Sequence, residues 1–380
     1  MNPSFDIVIL GAGASGLMAG ALLPKHYRIA FVEPNAKIGM KILVSGGGKC
    51  NLTNRRVEPQ DYLGDPEFIA PVLKGFMPKE TLTFFKDVAL EERDRGKLFG
   101  KHSAKDVVRV LEKETSHCAF FLGHRCTDVE KQADGFVVKT DKIRLTCKRV
   151  IVASGGLSWP VIGASDIGHR IAQYFGHTLT PPFPALVGLT VQKEQFWMKD
   201  LSGISFPVRV TCKERVCEGE LLFSHKGVSG PVIMDASLFW SKGSILVDFL
   251  PDVSVPSLVV ASPKKQPSSL IPLPKRFVKS FLEALGLEEK PVGRYTKEEL
   301  THLYTLHGYS FSPAGTVGYA KAEATKGGVC TFEINPKTLE SKQCEGLYFL
   351  GEVLDVTGKL GGYNLQWAFA SAAQCARGLT

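Results

Sequence analysis

The sequence predicts an α/β fold in which one domain is built from both ends of the chain and is interrupted by a two-part insertion. Continuous apolar runs occur near the N-terminus and again at 346–351, and each of them ends at a glycine. Between them, from 191 to 249, short runs of alternating polarity replace this pattern. Continuous apolar runs are typical of buried parallel strands, whereas alternating runs suit antiparallel strands with one solvated face.

The first apolar run, 5–10, is followed at once by three glycines with the spacing GxGxxG. In a dinucleotide-binding βαβ unit, the first glycine permits a sharp turn, the second lets the backbone approach a pyrophosphate, and the third lets the helix pack on the sheet. The amides at the start of the helix then face the anion. The residues expected at a pyrophosphate are Gly11, Gly13, Ala14, Ser15 and Gly16.

Glu33 ends the second apolar run and lies twenty-two positions after Gly11, about where the second strand of a βαβ unit ends. A carboxylate at that point accepts hydrogen bonds from both ribose hydroxyls and repels a 2′-phosphate, so NADP is not expected in this site. A plain strand-turn-helix corner without a ligand is the alternative. The strand, the helix and the acidic residue together favour the nucleotide site.

Further elements follow from periodicity and glycine placement. We expect helices at 78–88 and 104–115 and strands at 119–122, 135–140, 143–147 and 150–153. The glycine-rich stretch 39–54 is expected to lack regular structure and to be held by something that it contacts. The expected domains are a nucleotide domain in two parts, 1–190 and 314–380, a β-rich insert at 191–250 and a small helical insert at 251–313.

Composition restricts the class of protein. The chain has 380 residues, 44% hydrophobic and 22% charged, so it can bury a large core. We expect a cytoplasmic protein with no signal peptide and no membrane span. The nine cysteines form no CxxC pair and the histidines no HExxH motif, so neither a redox dithiol nor a metal site is expected. The net charge of +8 is spread along the chain, which favours a solvated basic surface over a nucleic-acid partner.

Three later segments favour FAD over NAD. Segment 149–156 resembles the strand-to-turn element that flavoproteins of the glutathione-reductase fold place beside the cofactor, and 346–352 resembles their late strand that ends in glycine and an acid. Segment 362–366 resembles the helix start that they direct at the flavin pyrimidine edge. The partial positive charge of a helix N-terminus stabilises reduced flavin, which is anionic there.

Segments 41–54, 222–231 and 351–366 together resemble the aminoacetone-oxidase-like or BaiN-like family of FAD-binding proteins, over essentially the full chain. The resemblance implies a glutathione-reductase-type FAD domain of Rossmann-like topology, interrupted by a barrel-like subdomain and a small helical insert. It also implies which further residues contact the cofactor. Those residues are Lys41, Ser45, Gly46, Gly47, Gly48, Asn51, Ala153, Ser154, Gly155, Gly351, Glu352, Gly362, Tyr363 and Asn364.

Four residues invite a catalytic role, and each has a structural alternative. His225 suits a proton donor or a turn residue, Lys49 and Cys50 adjoin the glycine loop, and Tyr363 suits a substrate contact or packing. No catalytic acid or base is assigned, because hydride transfer uses flavin N5 and the protein contributes mainly orientation and charge.

The resulting hypothesis is an FAD-dependent oxidoreductase that acts on a small molecule by hydride transfer at flavin N5. NADH or NADPH is a possible transient electron donor. Two alternatives stay open: a flavin-dependent enzyme that modifies tRNA or another nucleic acid, and a non-catalytic FAD-binding protein. The substrate and the oligomeric state do not follow from the sequence.

Overall fold

The computed structural model describes residues 3–380, which divide into two compact units. Unit 1 takes in the chain up to Pro184 and again from Glu323 to Thr380, and unit 2 is Ala185–Ala322. Both ends of the chain therefore contribute to unit 1.

The first part of unit 1 alternates strands with short helices. Its strands are β1 (Ser4–Leu10), β2 (Ile29–Glu33), β3 (Asn51–Asn54), β4 (Tyr62–Leu63), β5 (Leu90–Arg93), β6 (Lys97–Gly100), β7 (Ala119–Leu122), β8 (Cys126–Gln132), β9 (Gly135–Thr140), β10 (Arg144–Val152) and β11 (Leu179–Ala185). Its helices are α1 (Ala14–Leu22), α2 (Met40–Val44), α3 (Pro66–Gly75), α4 (Pro78–Phe84), α5 (Ala104–Glu114) and α6 (Ile167–Tyr174).

Unit 2 is a seven-stranded antiparallel sheet with five helices. Its strands are β12 (Leu189–Thr190), β13 (Ser205–Cys212), β14 (Arg215–Ser224), β15 (Gly227–Ser229), β16 (Ile245–Asp248), β17 (Tyr309–Phe311) and β18 (Gly315–Thr316), in the sheet order β17-β16-β13-β14-β15-β12-β18. Its helices are α7 (Pro231–Phe239), α8 (Val255–Ala261), α9 (Pro267–Leu270), α10 (Lys275–Ala284) and α11 (Lys297–Tyr304).

The chain then returns to unit 1 with β19 (Ala324–Val329), β20 (Leu347–Phe349), β21 (Thr357–Gly358) and α12 (Tyr363–Gly378). The main sheet has the order β7-β2-β1-β10-β9-β8, with β20 paired to β10. Strands β7, β2, β1, β10 and β20 are parallel, whereas β9 and β8 extend the sheet in antiparallel fashion. The mixed α/β fold predicted from the sequence is confirmed.

The structure corrects three local predictions. The two strands expected at 143–147 and 150–153 are one strand, β10, because β1 pairs with it from Thr146 to Val152 while its other edge pairs first with β9 and then with β20. The helix expected at 78–88 ends at Phe84. The stretch 39–54 is partly regular, since α2, a short 3-10 turn and β3 lie within it.

The parallel strands bring three chain segments to one edge of the main sheet. Leu10 pairs with Val152, and Val152 pairs with Phe349, so β1, β10 and β20 end side by side. Ile9, Ile151 and Phe349 are fully buried beneath this edge. Ligands of open α/β sheets bind beyond the carboxyl ends of such strands. Within residues 3–380, no helix is both long and apolar enough to cross a membrane.

Candidate cofactor site

The glycines after β1 are required by close packing at two of their three positions. Gly11 has φ +104°, and a Cβ there would lie 2.6 Å from the carbonyl oxygen of Ala153. A Cβ on Gly16 would lie 2.1 Å from the carbonyl oxygen of Gly11. Side chains at either position would force β1, α1 and the end of β10 apart. The first glycine turn and the Ala153 segment are therefore in direct contact.

Gly13 is different, because no atom of the protein lies within 4 Å of the place where its Cβ would be. The same is true of Gly47 and Gly155, both of which have positive φ. A phosphate or a flat ring can approach the backbone closely where no side chain projects into the open space beside it. Open space therefore adjoins the backbone in the turns after β1 and β10 and in the loop before β3.

Glu33 is buried at the end of β2 and both of its carboxylate oxygens are engaged. Oε2 accepts from the backbone N–H of Ala12 at 2.8 Å, and Oε1 accepts from the backbone N–H and the Nδ2 of Asn35 at 2.9 and 2.7 Å. A carboxylate has about four acceptor positions, so one can remain for a ribose hydroxyl. The bonds fix the orientation of Glu33 toward the first glycine turn.

A second carboxylate, Glu352, follows β20 and is paired with a cation from α2. Its Oε2 lies 2.6 Å from Lys41 Nζ, and its Oε1 accepts from the backbone N–H of Thr325 at 2.8 Å. A Cβ on Gly156 would lie 3.1 Å from Oε1, which places Glu352 beside the turn after β10. Lys41 and Glu352, which are 311 positions apart, thus meet at one site.

Gly351 is packed between the start of α1 and the middle of α12. Its N–H donates to Ser371 Oγ at 3.0 Å and its carbonyl accepts from Trp367 Nε1 at 3.1 Å. A Cβ on Gly351 would lie 2.7 Å from Ser15 Oγ at the start of α1. Because both α1 and α12 press on this residue, only glycine fits the turn that presents Glu352.

The start of α12 is set by backbone contacts. A Cβ on Gly362 would lie 2.4 Å from the carbonyl oxygen of Thr53, so this glycine lets the turn lie against β3. The Asn364 side chain accepts from the N–H of Gly358 at 2.8 Å and donates to its carbonyl at 3.0 Å, while the Tyr363 carbonyl accepts from Tyr62. Neither α1 nor α12 carries an acidic side chain in its first turn, so neither helix places a carboxylate of its own against its positive end.

The loop 45–51 has a 3-10 turn in which Gly46 and Gly47 adopt left-handed backbone angles. The N–H of Cys50 donates to the carbonyl of Ser45 at 3.0 Å, and a Cβ on Gly46 would press on Phe99. Gly48 has φ +83° and only a distant neighbour. The loop is thus closed by its own hydrogen bond, and the backbone at Gly47 and Gly48 has open space beside it.

Two buried polar atoms in this region have no hydrogen-bond partner within residues 3–380: Ser154 Oγ and Asn51 Oδ1. A buried polar group without a partner costs roughly 1–3 kcal/mol, so such groups in native proteins are satisfied by a ligand, an ion or water. With the open backbone at Gly13, Gly47 and Gly155, these atoms fit an FAD molecule rich in hydroxyl, phosphate and ring nitrogen groups. A hydroxyl or ring N–H of the cofactor would satisfy them.

Sequence reasoning missed the structural weight of Gln366, a fully buried residue in the first turn of α12. Its Oε1 accepts from the hydroxyls of Thr53 and Thr81 at 2.6 and 2.8 Å, and its Nε2 donates to the carbonyl of Phe76 at 2.7 Å. The amide therefore ties α12 to three other segments. The available signal was a glutamine four positions after Gly362, at the start of a helix that is otherwise largely apolar.

We expect Gln366→Leu to lower the free energy of unfolding by at least about 3 kcal/mol, because it leaves three buried polar groups without a partner at roughly 1–3 kcal/mol each. Urea unfolding measures this change. Gln374→Leu on the same helix is the matched control, since its bonds are exposed, and it should cost well under half as much. Equal losses in the two variants would contradict this role for Gln366.

Sequence reasoning also missed Glu323, which lies two positions before Thr325. Its side chain keeps access to solvent, yet burial of the carboxyl raises its pKa, and the nearby charges of Lys41 and Lys97 only partly oppose this shift. A Cβ on Gly361 would lie 3.4 Å from Lys97 Cε, so Lys97 borders the start of α12. Glu323 therefore belongs to the end of the site that holds Lys41, Glu352 and Gly361.

The structure shows the surroundings of three residues that the sequence suggested for catalysis. His225 is exposed in the tight turn between β14 and β15 in unit 2, where Ser224 Oγ bridges the turn. Lys49 pairs with Glu91 at the surface. Cys50 is fully buried, and burial raises the pKa of its thiol to about 12, so it stays protonated at neutral pH. These positions favour structural roles for His225, Lys49 and Cys50.

The geometry agrees with comparisons to known proteins. The family model described as the HI0933-like protein Rossmann domain matches residues 5–378. The chain belongs to the HI0933-like family. Members of this family are FAD-dependent oxidoreductases, so this HI0933-like protein is an enzyme and the resemblance inferred from its motifs is confirmed.

Three relatives of this HI0933-like enzyme align over nearly their whole length. A ribosomal RNA dihydrouridine synthase of Haemophilus influenzae is 37% identical over 99% of this chain and 98% of its own, and one of Escherichia coli is 35% identical over the same shares. A 3-dehydro-bile acid delta(4,6)-reductase of Clostridium scindens is 33% identical over 96% of each chain.

Solved structures share the fold of this HI0933-like enzyme at low sequence identity. The Mycobacterium smegmatis Sdh1 complex in the apo form has a TM-score of 0.53 and 14% identity, covering 100% of this chain and 68% of that one. The E. coli quinol fumarate reductase FrdA has a TM-score of 0.53 and 15% identity, covering 99% and 70%. These two likenesses concern the fold alone.

Proposed function

We propose that this enzyme reduces the C5=C6 bond of uridine in ribosomal RNA to give dihydrouridine. The observation that carries the proposal is the near-complete alignment, at 37% and 35% identity, with two relatives that bear this activity in their names. The proposal replaces the expectation of a small-molecule substrate with no nucleic-acid partner.

The relatives point to one kind of chemistry. Uracil C5=C6 is conjugated with the C4 carbonyl, and the bile-acid relative is named for the reduction of C=C bonds in a 3-keto compound. For uridine, the reduction needs a hydride at C6, the carbon far from the C4 carbonyl, and a proton at C5, the carbon beside it. Bound FAD would supply the hydride chemistry at its ring.

The residues expected to hold FAD divide along the site. Backbone amides from Gly13 to Gly16 at the start of α1 would hold the pyrophosphate, Glu33 the adenosine ribose, and Glu352 with its partner Lys41 the ribityl end. The start of α12 would face the pyrimidine edge of the ring, where the helix dipole stabilises negative charge.

We propose Glu323 as the proton donor to the carbon beside the carbonyl, C5 in uridine. A carboxyl group with a raised pKa holds its proton closer to neutral pH than an ordinary glutamate does. The lysines beside it, Lys41 and Lys97, stabilise the carboxylate that remains after the proton has left. The chain thereby supplies the proton while the cofactor supplies the hydride.

NADH or NADPH is the electron donor that we propose for this reaction. The acidic Glu33 disfavours a 2′-phosphate in the FAD site but does not restrict a nicotinamide that binds transiently elsewhere. Prompt bleaching of the visible flavin bands after addition of NADPH or NADH under anaerobic conditions is the expected result. Bands that persist with both would assign the electrons to another donor.

A single experiment separates the substrate classes. Anaerobically reduced protein is mixed with an unmodified ribosomal RNA transcript or with a 4-en-3-one steroid, and reoxidation of the flavin is followed by its absorbance. The proposal expects faster reoxidation with RNA. Reoxidation by the steroid alone would instead support the second candidate, a reductase of conjugated ketones, which the 33% identical relative favours.

A further inference from the structure

Positive charge is concentrated beside the candidate site, although it is spread along the sequence. Segments 49–56 and 90–105 contain eight Lys or Arg and three Asp or Glu residues, so they hold five of the net eight positive charges of the chain. These segments form the three-stranded sheet β3-β6-β5 and the residues that adjoin it. The basic hairpin is defined as Arg55, Arg56, Arg95 and Lys97.

Hydrogen bonds hold the basic hairpin together at one end of this sheet. The N–H of Arg55 donates to the carbonyl of Gly96 at 2.8 Å. The buried amide of Asn54 donates to the carbonyl of Arg95 at 3.1 Å and accepts from the N–H of Arg56 at 3.2 Å. The four cationic residues are therefore grouped around one buried asparagine.

The same asparagine joins the basic hairpin to the candidate site. Asn54 Nδ2 also donates to the carbonyl of Gly361 at 3.2 Å, in the turn that leads into α12. Lys97 lies against Gly361, and Thr53 lies against Gly362. The hairpin thus borders the end of the site where the flavin ring is expected.

The hairpin presents its arginines to solvent. Arg55, Arg56 and Arg95 are exposed, and neither Arg56 nor Lys97 forms an ion pair with any residue in 3–380. Arg55 pairs with Glu92 at 2.8 Å, but an exposed pair of this kind contributes only about 0–1 kcal/mol and gives way readily to a phosphate.

We propose that the basic hairpin binds the phosphate backbone of an RNA strand next to the site, an inference that rests on the proposed function. An enzyme that acts on a base must take that base out of its stack, and the flanking phosphates then need a fixed position. Contacts between Arg or Lys and phosphates position the strand, while the site reads the base. The partner is RNA because the cluster of cations adjoins the site that, under the proposed function, takes a single base.

The test uses the double variant Arg56→Gln/Arg95→Gln with bound FAD. Its affinity for an unmodified ribosomal RNA transcript is measured by fluorescence anisotropy at several salt concentrations. Loss of two phosphate contacts should weaken binding roughly 10-fold and lower the slope of log affinity against log salt by about two. The flavin content and the rate of flavin reduction should stay as in the wild type.

Lys25→Gln/Arg28→Gln is the matched control. It removes the same charge at exposed positions just before β2, at the opposite edge of the main sheet from the strand carboxyl ends. Equal affinity and equal salt slope in the wild type and the hairpin variant would overturn the proposal, as would equal weakening in the control. If the wild type itself neither binds nor reduces the RNA, the proposed function fails as well. If the wild type reduces the RNA and the hairpin variant binds it as tightly as the wild type, the proposed function stands and only the proposed RNA-binding surface is wrong.

Discussion

Replacing Gly13 by alanine is expected to remove FAD from the protein without unfolding it. The backbone of Gly13 has φ −88° and ψ −165°, which alanine adopts readily, and its Cβ would meet no protein atom within 4 Å. The methyl group would instead occupy space that the pyrophosphate needs. Overpacking of this kind costs about 1–3 kcal/mol, which raises the FAD dissociation constant roughly 5-fold to 150-fold.

Gly16→Ala is the comparison for this prediction. Its Cβ would lie 2.1 Å from the carbonyl oxygen of Gly11, so this variant should lose thermal stability together with FAD. Flavin absorbance per protein and the melting temperature of the apoprotein distinguish the two variants. A Gly13→Ala protein that retains FAD with unchanged affinity would place the pyrophosphate elsewhere.

Glu323→Gln is expected to slow product formation at least ~100-fold, which is the usual contribution of a general acid, while FAD stays bound. Glutamine preserves the shape of the side chain but cannot donate the proton. Stopped-flow absorbance should show unchanged reduction of the flavin and slow reoxidation by the substrate. Glu112→Gln, an exposed carboxyl on α5 with no side-chain hydrogen bond within residues 3–380, is the control and should behave as the wild type.

The pH dependence gives this prediction a second readout. Burial raises the pKa of Glu323, and the protonated form is the active one, so the wild-type rate should fall as the pH rises through that raised pKa. The variant should lack this decline. The stability that the protonated group contributes is complete below the pKa of the unfolded chain and is lost across the same rise. A Glu323→Gln protein that keeps the wild-type pH profile would exclude Glu323 as the proton donor.

Local patterns predicted the parts of the fold that depend on neighbouring residues. The glycines after β1 and the carboxylate at the end of β2 are fixed by a short βαβ unit, so their spacing alone indicates how they lie. The start of α12 was similarly evident from the glycines that precede an apolar run. Strand β10 was divided in two because its continuous pairing with β1, while its other edge changes partner from β9 to β20, leaves no trace in periodicity.

The contacts that sequence reasoning missed join distant segments of the chain. Gln366 bonds to Thr53 across 313 positions, and Lys41 reaches Glu352 across 311. The grouping of cations in the basic hairpin depends on Asn54, whose amide connects β3 to the turn before α12. Composition showed the positive charge, but only the folded chain places it beside the site.

The most direct test of the central claim is the mass of the uridine nucleosides in ribosomal RNA after reaction. The FAD-loaded enzyme, an electron donor and an unmodified transcript are incubated together, and the RNA is digested and analysed by mass spectrometry. We expect a uridine nucleoside that is heavier by two hydrogen atoms. It should be absent when the Glu323→Gln variant is incubated for the same time in place of the wild type. RNA that remains unmodified while the flavin is reduced and a conjugated steroid ketone is consumed would contradict the central claim.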